Sequence, residues 1–261
     1  MLNIQDITIQ YGSHPVVEHF DLDVKPGEIV SLVGESGSGK TTVIRSVLGL
    51  LPGGGRVTDG DILFEGESLL KKTEAEMRRL RGTDISMIFQ DSGAMMNPIR
   101  RIGSQFTEYL RLHKSMSMDE ANKKAVDMLR LMRLPDPERV MRSYVFQLSG
   151  GMRQRVGIAM AMSFAPKLLL ADEPTSALDV TIQAQIVRQM IQMRDLYNSA
   201  IILVTHNLGV AAYMSDKILV MKQGRIVEQG DRERILKHPQ MEYTKKLIEA
   251  IPIMDGEIYV D

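Results

Sequence analysis

A chain of 261 residues without a single cysteine excludes disulfides, thiolate metal sites and cysteine-held iron–sulfur clusters, and suits a reducing compartment. With 44% hydrophobic residues it can bury a proper core, and 25% charged residues is ordinary for a globular protein. A net charge of -1 argues against broad electrostatic binding, so no nucleic-acid partner is expected.

The chain begins with strand patterns. Ile4, Ile7 and Ile9 mark one short run and Val16-Val17 to Val24 another, separated by Tyr11-Gly12-Ser13. No basic run followed by an apolar one opens the sequence, so no secretory signal is expected. Lys25-Pro26-Gly27-Glu28 reads as a turn, and Ile29 to Val33 as a buried strand that runs into a glycine-rich loop. Val43, Ile44, Val47 and Leu48 then recur at helical spacing until Gly49 and Pro52-Gly53-Gly54-Gly55. Ile62 to Phe64 and Ile85 to Phe89 are further strands. From about Asp91 to Phe146 strand patterns vanish, and the stretch from Asp119 to Arg133 places Ala125, Met128, Leu129 and Met132 on one helical face. Strands resume at Leu168 to Leu170, followed by a helix from Ile182 to Leu196 and a strand from Ile201 to Val204. Ile218 to Met221, Gln223-Gly224 and Arg225 to Val227 read as a hairpin. No segment offers the roughly 18 uninterrupted apolar residues of a membrane span. Any membrane role is therefore that of a peripheral subunit.

Three places carry chemistry. Gly34 and Gly39 bracket four residues before Lys40-Thr41, between a strand and a helix. Backbone amides in such a loop turn inward on phosphate oxygens, Lys40 reaches the β and γ phosphates, and the Thr41 hydroxyl ligates magnesium. A purely structural glycine turn would not need that lysine. Asp172-Glu173 closes the strand Leu168 to Ala171. Such a pair alone is more often a solvated turn, but with the glycine loop present Asp172 is expected on magnesium and Glu173 on the attacking water. Leu148-Ser149-Gly150-Gly151-Met152 opens a helix for which Ser149 is a suitable cap, leaving amides open to an anion. The same residues also suit an ordinary capped helix. The 19 methionines suggest a soft-metal site at Met95-Met96 or Met116-Ser117-Met118, but most fall on apolar helical faces and the metal reading is rejected.

The order of glycine loop, second glycine element and acidic strand end resembles that of the ATP-binding-cassette (ABC) ATPases, over almost the whole chain. The resemblance implies an α/β P-loop NTPase core of ABC type, with an N-terminal antiparallel β subdomain and an inserted helical subdomain. Its expected extent is one ATPase domain over 1–250, with the core at about 1–90 and 165–235, the helical subdomain at about 91–164 and a tail at 236–261. It implies ATP and Mg2+ as cofactors. Gly34, Glu35, Ser36, Gly37, Ser38, Gly39, Lys40, Thr41 and Thr42 would bind ATP, with Tyr11 stacked on adenine. Glu173, His206 and Gln90 would be catalytic, and Thr41, Gln90 and Asp172 would hold magnesium. Ser149, Gly150, Gly151 and Gln154 would contact ATP held by a partner subunit, and Ser176, Ala177, Leu178 and Asp179 would form the loop crossing to it.

Implied partners are a second ABC ATPase packed head to tail (hetero- or homodimer), two membrane-spanning permease subunits and, indirectly, an extracellular solute-binding protein. The place of action would be the cytoplasmic face of the cell membrane. Asp179-Val180-Thr181-Ile182-Gln183-Ala184-Gln185, Asn97-Pro98, and His238-Pro239 through Tyr243-Thr244-Lys245 are similar to the ATPases of peptide and nickel importers. Gly49-Leu50-Leu51-Pro52 through Gly60-Asp61-Ile62 is similar to the first of the two unlike ATPases these carry. The alternative is an ATPase of a phosphonate carbon–phosphorus lyase complex. DNA-repair ATPases of similar motif need coiled-coil heptads that the segment from Thr42 to Gln147 lacks. Asp91 to Met96 and Asn207 depart from the family pattern, and as many peptide-importer ATPases carry a cysteine-rich carboxy-terminal extension, the expectation is either that this cluster is absent or that the chain belongs to the shorter, nickel-type branch. The stretch from Gln90 to Ile102 is expected to couple ATP state to the membrane subunits, with Met95, Met96 and Ile99 either filling a groove for a membrane-subunit helix or simply covering the local core.

Overall fold

The computed structural model describes residues 1–176 and 178–250, with the backbone of 253–254 and 257–258. β1 (Leu2–Tyr11) turns through Gly12-Ser13, with Gly12 at φ +61°, into β2 (His14–Val24). β3 (Ile29–Val33) is buried at every position, and α1 (Lys40–Val47) turns Val43, Ile44 and Val47 inward. β4 (Arg56–Phe64), β5 (Glu67–Ser68), α2 (Glu74–Leu80) and β6 (Ile85–Ile88) follow. Next come α3 (Ile102–His113), α4 (Met118–Leu131), α5 (Pro137–Arg142), a short 3-10 turn at Val145–Gln147, and α6 (Gly150–Met162). α4 starts at a reciprocal Ser117–Glu120 cap, which explains why it begins where it does. β7 (Leu168–Asp172), α7 (Val180–Tyr197), β8 (Ala200–Thr205), α8 (Leu208–Met214), β9 (Lys217–Lys222) and β10 (Arg225–Asp231) continue the alternation. The described chain closes with α9 (Arg232–Lys237), α10 (Glu242–Glu249), β11 (Ile253–Met254) and β12 (Glu257–Ile258).

Two compact units emerge. The first comprises residues 1–78 and 198–261. It contains an antiparallel sheet ordered β2-β1-β4-β5, the expected N-terminal antiparallel subdomain. In the same unit β3 runs parallel to β8 on one side and to β9 on the other, and β9 pairs antiparallel with β10 across Gln223-Gly224. β3 and β8 are apolar without alternation because both faces of a parallel strand are covered. The second unit comprises residues 79–197 and joins the parallel pair β6–β7 to α3 through α7. Among its described residues no strand lies between β6 and β7, which matches the helical stretch read from the sequence.

The differences lie in the short elements. α2, α8, α9 and α10 have six to eight residues, too few for an apolar period to stand out. In α8 to α10 packing holds them instead. Leu208, Ala211 and Ile235 bury against Val33, Ile218 and Val220, with Leu236, Tyr243, Leu247 and Ile248 laid over that cluster. Residues 236–250, expected as a tail, therefore lie within the first unit. Residues 251, 252, 255, 256 and 259–261 lie outside the described residues.

Candidate functional site

In the first unit the loop between β3 and α1 has the shape its glycines require. Gly39 caps α1 at φ +98°, a left-handed conformation. A Cβ there would lie 3.0 Å from Val17 Cγ2, and one on Gly34 would lie 2.1 Å from the Met221 carbonyl oxygen. Met221 backbone excludes a side chain at Gly34, and the positive φ strains one at Gly39. The loop is closed by a Ser38 N–H to Glu35 C=O bond of 3.2 Å, and Gly224 N–H donates to Ser38 C=O at 3.1 Å, so the β9–β10 hairpin braces it. Lys40 is buried, and its ammonium donates to Gly34 C=O at 2.6 Å, Glu35 C=O at 2.7 Å and Ser38 Oγ at 3.2 Å. A cation held by two loop carbonyls and a serine hydroxyl at a helix N-terminus is an arrangement suited to receive an anion. Glu35, Ser36 and Gly37 are exposed at its rim, and Thr41 and Thr42 are half-buried in the first turn of α1.

Tyr11 ends β1, half-buried, with its ring close to Gly55, where a Cβ would lie 2.6 Å from Cε1. His206 is exposed just past β8. Asn207, read as a departure, has a local explanation. Its side-chain oxygen accepts the N–H groups of Gly209 (2.9 Å) and Val210 (3.3 Å) and so caps α8.

In the second unit Asp172 is buried at the end of β7. Glu173 takes φ +45°, an uncommon left-handed conformation for a residue with a side chain. Gln90 Nε2 donates to Glu173 Oε2 at 3.5 Å and to Ser176 Oγ at 3.4 Å. Gln90 thus meets Glu173 and Ser176 across more than 80 residues of sequence.

Ser149 caps α6, its hydroxyl accepting the Met152 N–H at 3.3 Å, and Gly150 and Gly151 follow in the first turn, where N–H groups have no preceding helical carbonyl. Ser149 and Gly150 are exposed. A Cβ on Gly151 would lie 2.8 Å from Ile182 Cγ2, and one on Gly150 3.6 Å from Leu178 Cδ2, so this turn lies against the loop of Ser176, Leu178 and Asp179. Asp179 caps α7 through the Ile182 N–H at 3.0 Å. Ala177 lies outside the described residues.

Two expectations need correction. Gln154 turns inward, away from the exposed rim of Ser149 and Gly150. It is 5% exposed, its Nε2 donates to Phe89 C=O, and its Oε1 accepts the Ser92 N–H, each at 3.3 Å. It ties the segment after Gln90 to α6. Met96 is buried at 7% exposure and so is not available to an outside groove, whereas Met95 and Ile99 are 61% and 82% exposed.

The donor set suits a nucleotide and a hard cation. In the first unit the loop offers backbone and one ammonium to phosphate, with the Thr41 hydroxyl in the first turn of α1; in the second unit Asp172 and Gln90 carry oxygens of the kind a hard cation takes. Among the described residues no cluster of three or more His, Cys, Asp or Glu is ready to hold a metal.

Comparisons with known proteins agree. A family model described as ABC transporter matches residues 17–176. The oligopeptide transport ATP-binding protein AppD of Bacillus subtilis is 44% identical over 245 residues, covering 94% of this chain and 75% of that one. The oligopeptide transport ATP-binding protein OppD of Escherichia coli is 42% identical over 261 residues, covering 98% of this chain and 77% of that one. Among solved structures, a dimeric ATP-binding cassette in a post-hydrolysis state bound to ADP and Pi superposes with a TM-score of 0.79 at 26% identity. That match covers 89% of this chain and 99% of the other.

Proposed function

The chain belongs to the ABC transporter family, and from that premise we propose that it is the ATP-hydrolysing, energy-coupling subunit of a peptide importer. Lys40 and the loop at residues 34–42 bind the phosphates, and Tyr11 stacks on adenine. Thr41, Asp172 and Gln90 hold Mg2+, which when bound neutralises phosphate charge. Glu173 orients and polarises the attacking water, Gln90 holds the Glu173 carboxylate in place, and His206 contacts the γ-phosphate. The capped turn at Ser149, Gly150 and Gly151 serves ATP held by a second ATPase subunit packed head to tail, and Ser176, Leu178 and Asp179 meet that partner.

No helix among the described residues is long and apolar enough to cross a membrane. In this reading two separate permease subunits form the path, a solute-binding protein delivers the solute, and this chain acts on the cytoplasmic face. Exposed Met95 and Ile99 belong to the surface that meets the permeases.

The observation that carries the proposal is the Lys40 cradle combined with 44% identity, over 94% of the chain, to an oligopeptide transport ATP-binding protein. The names of both relatives favour transport over the lyase alternative. The test is uptake in vesicles that carry the purified complex, measured for a labelled tripeptide and, in parallel, for nickel ion. ATP-dependent tripeptide uptake that is absent in Lys40→Ala supports the reading. Nickel uptake alone, or a complex without membrane subunits, defeats it.

A further inference from the structure

The stretch from His238-Pro239 to Tyr243-Thr244-Lys245 marks the chain's likeness to importer ATPases, yet nothing in the chemistry above uses it. Its fold gives it a task. The Glu228 carboxylate, 7% exposed, accepts the N–H groups of Gln240 at 2.7 Å and Met241 at 3.1 Å, which fixes how the chain enters α10. From α10, Tyr243, Leu247 and Ile248 pack on the cluster that includes Val33, the last residue of β3. Tyr243 is therefore anchored beside the strand that delivers the phosphate loop.

Its hydroxyl accepts the backbone N–H of Glu35 at 3.0 Å, and Lys222 Nζ sits 4.8 Å from the ring centroid. The Glu35 N–H belongs to the same peptide unit as the Gly34 carbonyl, which accepts the Lys40 ammonium at 2.6 Å. In a trans peptide the C=O and N–H point in opposite directions. Lys40 thus holds one edge of this plane and Tyr243 the other. Glycine precedes the plane and follows two residues later, so local sterics restrain its rotation weakly. Hydrogen bonds have to set its direction, and with it the direction of the carbonyls that surround Lys40.

We propose that Tyr243 is a positioning residue of the ATP-binding loop, through which α10 presets the Gly34–Glu35 peptide, and so Lys40, for the triphosphate. The inference rests on residues 34–42 being the ATP site. In contrast to a tyrosine that merely packs a terminal helix, a positioning tyrosine acts through its hydroxyl alone.

The test uses the full chain as wild type, Tyr243→Phe and Leu247→Ala, titrated with the non-hydrolysable analogue adenylyl imidodiphosphate and followed by amide hydrogen exchange. Tyr243→Phe keeps the ring and its packing. It is expected to bind the analogue about 2- to 10-fold more weakly, the span of one neutral hydrogen bond. The Glu35 amide is expected to exchange faster, with Tm within about 2 °C of wild type. Leu247→Ala loosens α10 but keeps the hydroxyl, and is expected to lower Tm with less than about a 2-fold change in affinity. Unchanged affinity or unchanged Glu35 exchange in Tyr243→Phe overturns the inference. So does an affinity loss in Leu247→Ala as large as that in Tyr243→Phe, which would assign the effect to helix docking in general. A wild-type chain that binds no analogue would instead overturn the ATP-site reading itself, and the inference with it.

Discussion

Gly157→Ala asks whether α6 and the segment after Gln90 form one body. The helix passes so close to that segment that a Cβ on Gly157 would lie 2.3 Å from Ser92 Oγ and 2.4 Å from Ser92 Cβ. Ser92 is 4% exposed, and its N–H is bonded to Gln154, itself on α6. The added methyl has no flexible side-chain tip to push aside, so helix or loop backbone must move. Overpacking of this kind costs about 1–3 kcal/mol, and contact this close to Cβ belongs at the upper end. Alanine's advantage over glycine inside a helix returns about 1 kcal/mol. The net expectation is about 1–2 kcal/mol of destabilisation. In a Ser92→Gly background both obstructing atoms are gone and only the propensity gain remains. The same substitution should then stabilise by up to about 1 kcal/mol, a coupling of about 2–3 kcal/mol between the sites. Urea midpoints of the four proteins, at unchanged m, measure the cycle. Shifts of the same sign and within about 0.5 kcal/mol in the two backgrounds would refute the reasoning.

Lys40→Ala and Glu173→Gln should fail differently. Loss of the proposed phosphate contact should weaken ATP binding about 10- to 100-fold, whereas loss of the proposed water-orienting carboxylate should spare binding and slow single-turnover hydrolysis about 100- to 10,000-fold. Equal affinity losses would remove Glu173 from its role. Ser149→Arg should leave ATP binding by its own chain intact and silence the partner's site. Mixing wild-type and variant subunits and measuring hydrolysis checks this, and full activity at every ratio would contradict the shared-site arrangement. Burial raises the Glu228 pKa, but the N–H donors of Gln240 and Met241 and the nearby Arg234 outweigh it and hold the net value below the usual carboxylate range. Its charge therefore adds stability above the unfolded value of about 4.3, and that contribution disappears as pH falls through the lower folded value. Glu228→Gln should lower Tm at pH 7, with the gap to wild type closing in acid. A gap independent of pH would show that the charge is idle.

Local chemistry made much of this protein legible. The cradle from Gly34 to Thr41 could be read because a phosphate loop needs glycine, lysine and a hydroxyl at set spacing beside one another in the chain. The apolar runs of β3, β7 and β8 could be read because strands covered on both faces cannot alternate. Even Asn207, a departure from the family pattern, carries a signal, a capping side chain directly before a short helix. What the sequence could not decide are contacts between residues far apart in it. Gln154 looked like a continuation of the exposed turn at Ser149, but helical rotation carries its amide inward, to Phe89 and Ser92. Met95 and Met96 are neighbours of one type, and only the folded loop sends one to solvent and the other into the core. Tyr243 stands 208 positions from Glu35, and its bond to the loop exists because α10 packs on the cluster around Val33. Spacing along the chain determined the chemistry of each motif, and tertiary packing decided which side chains are left to perform it.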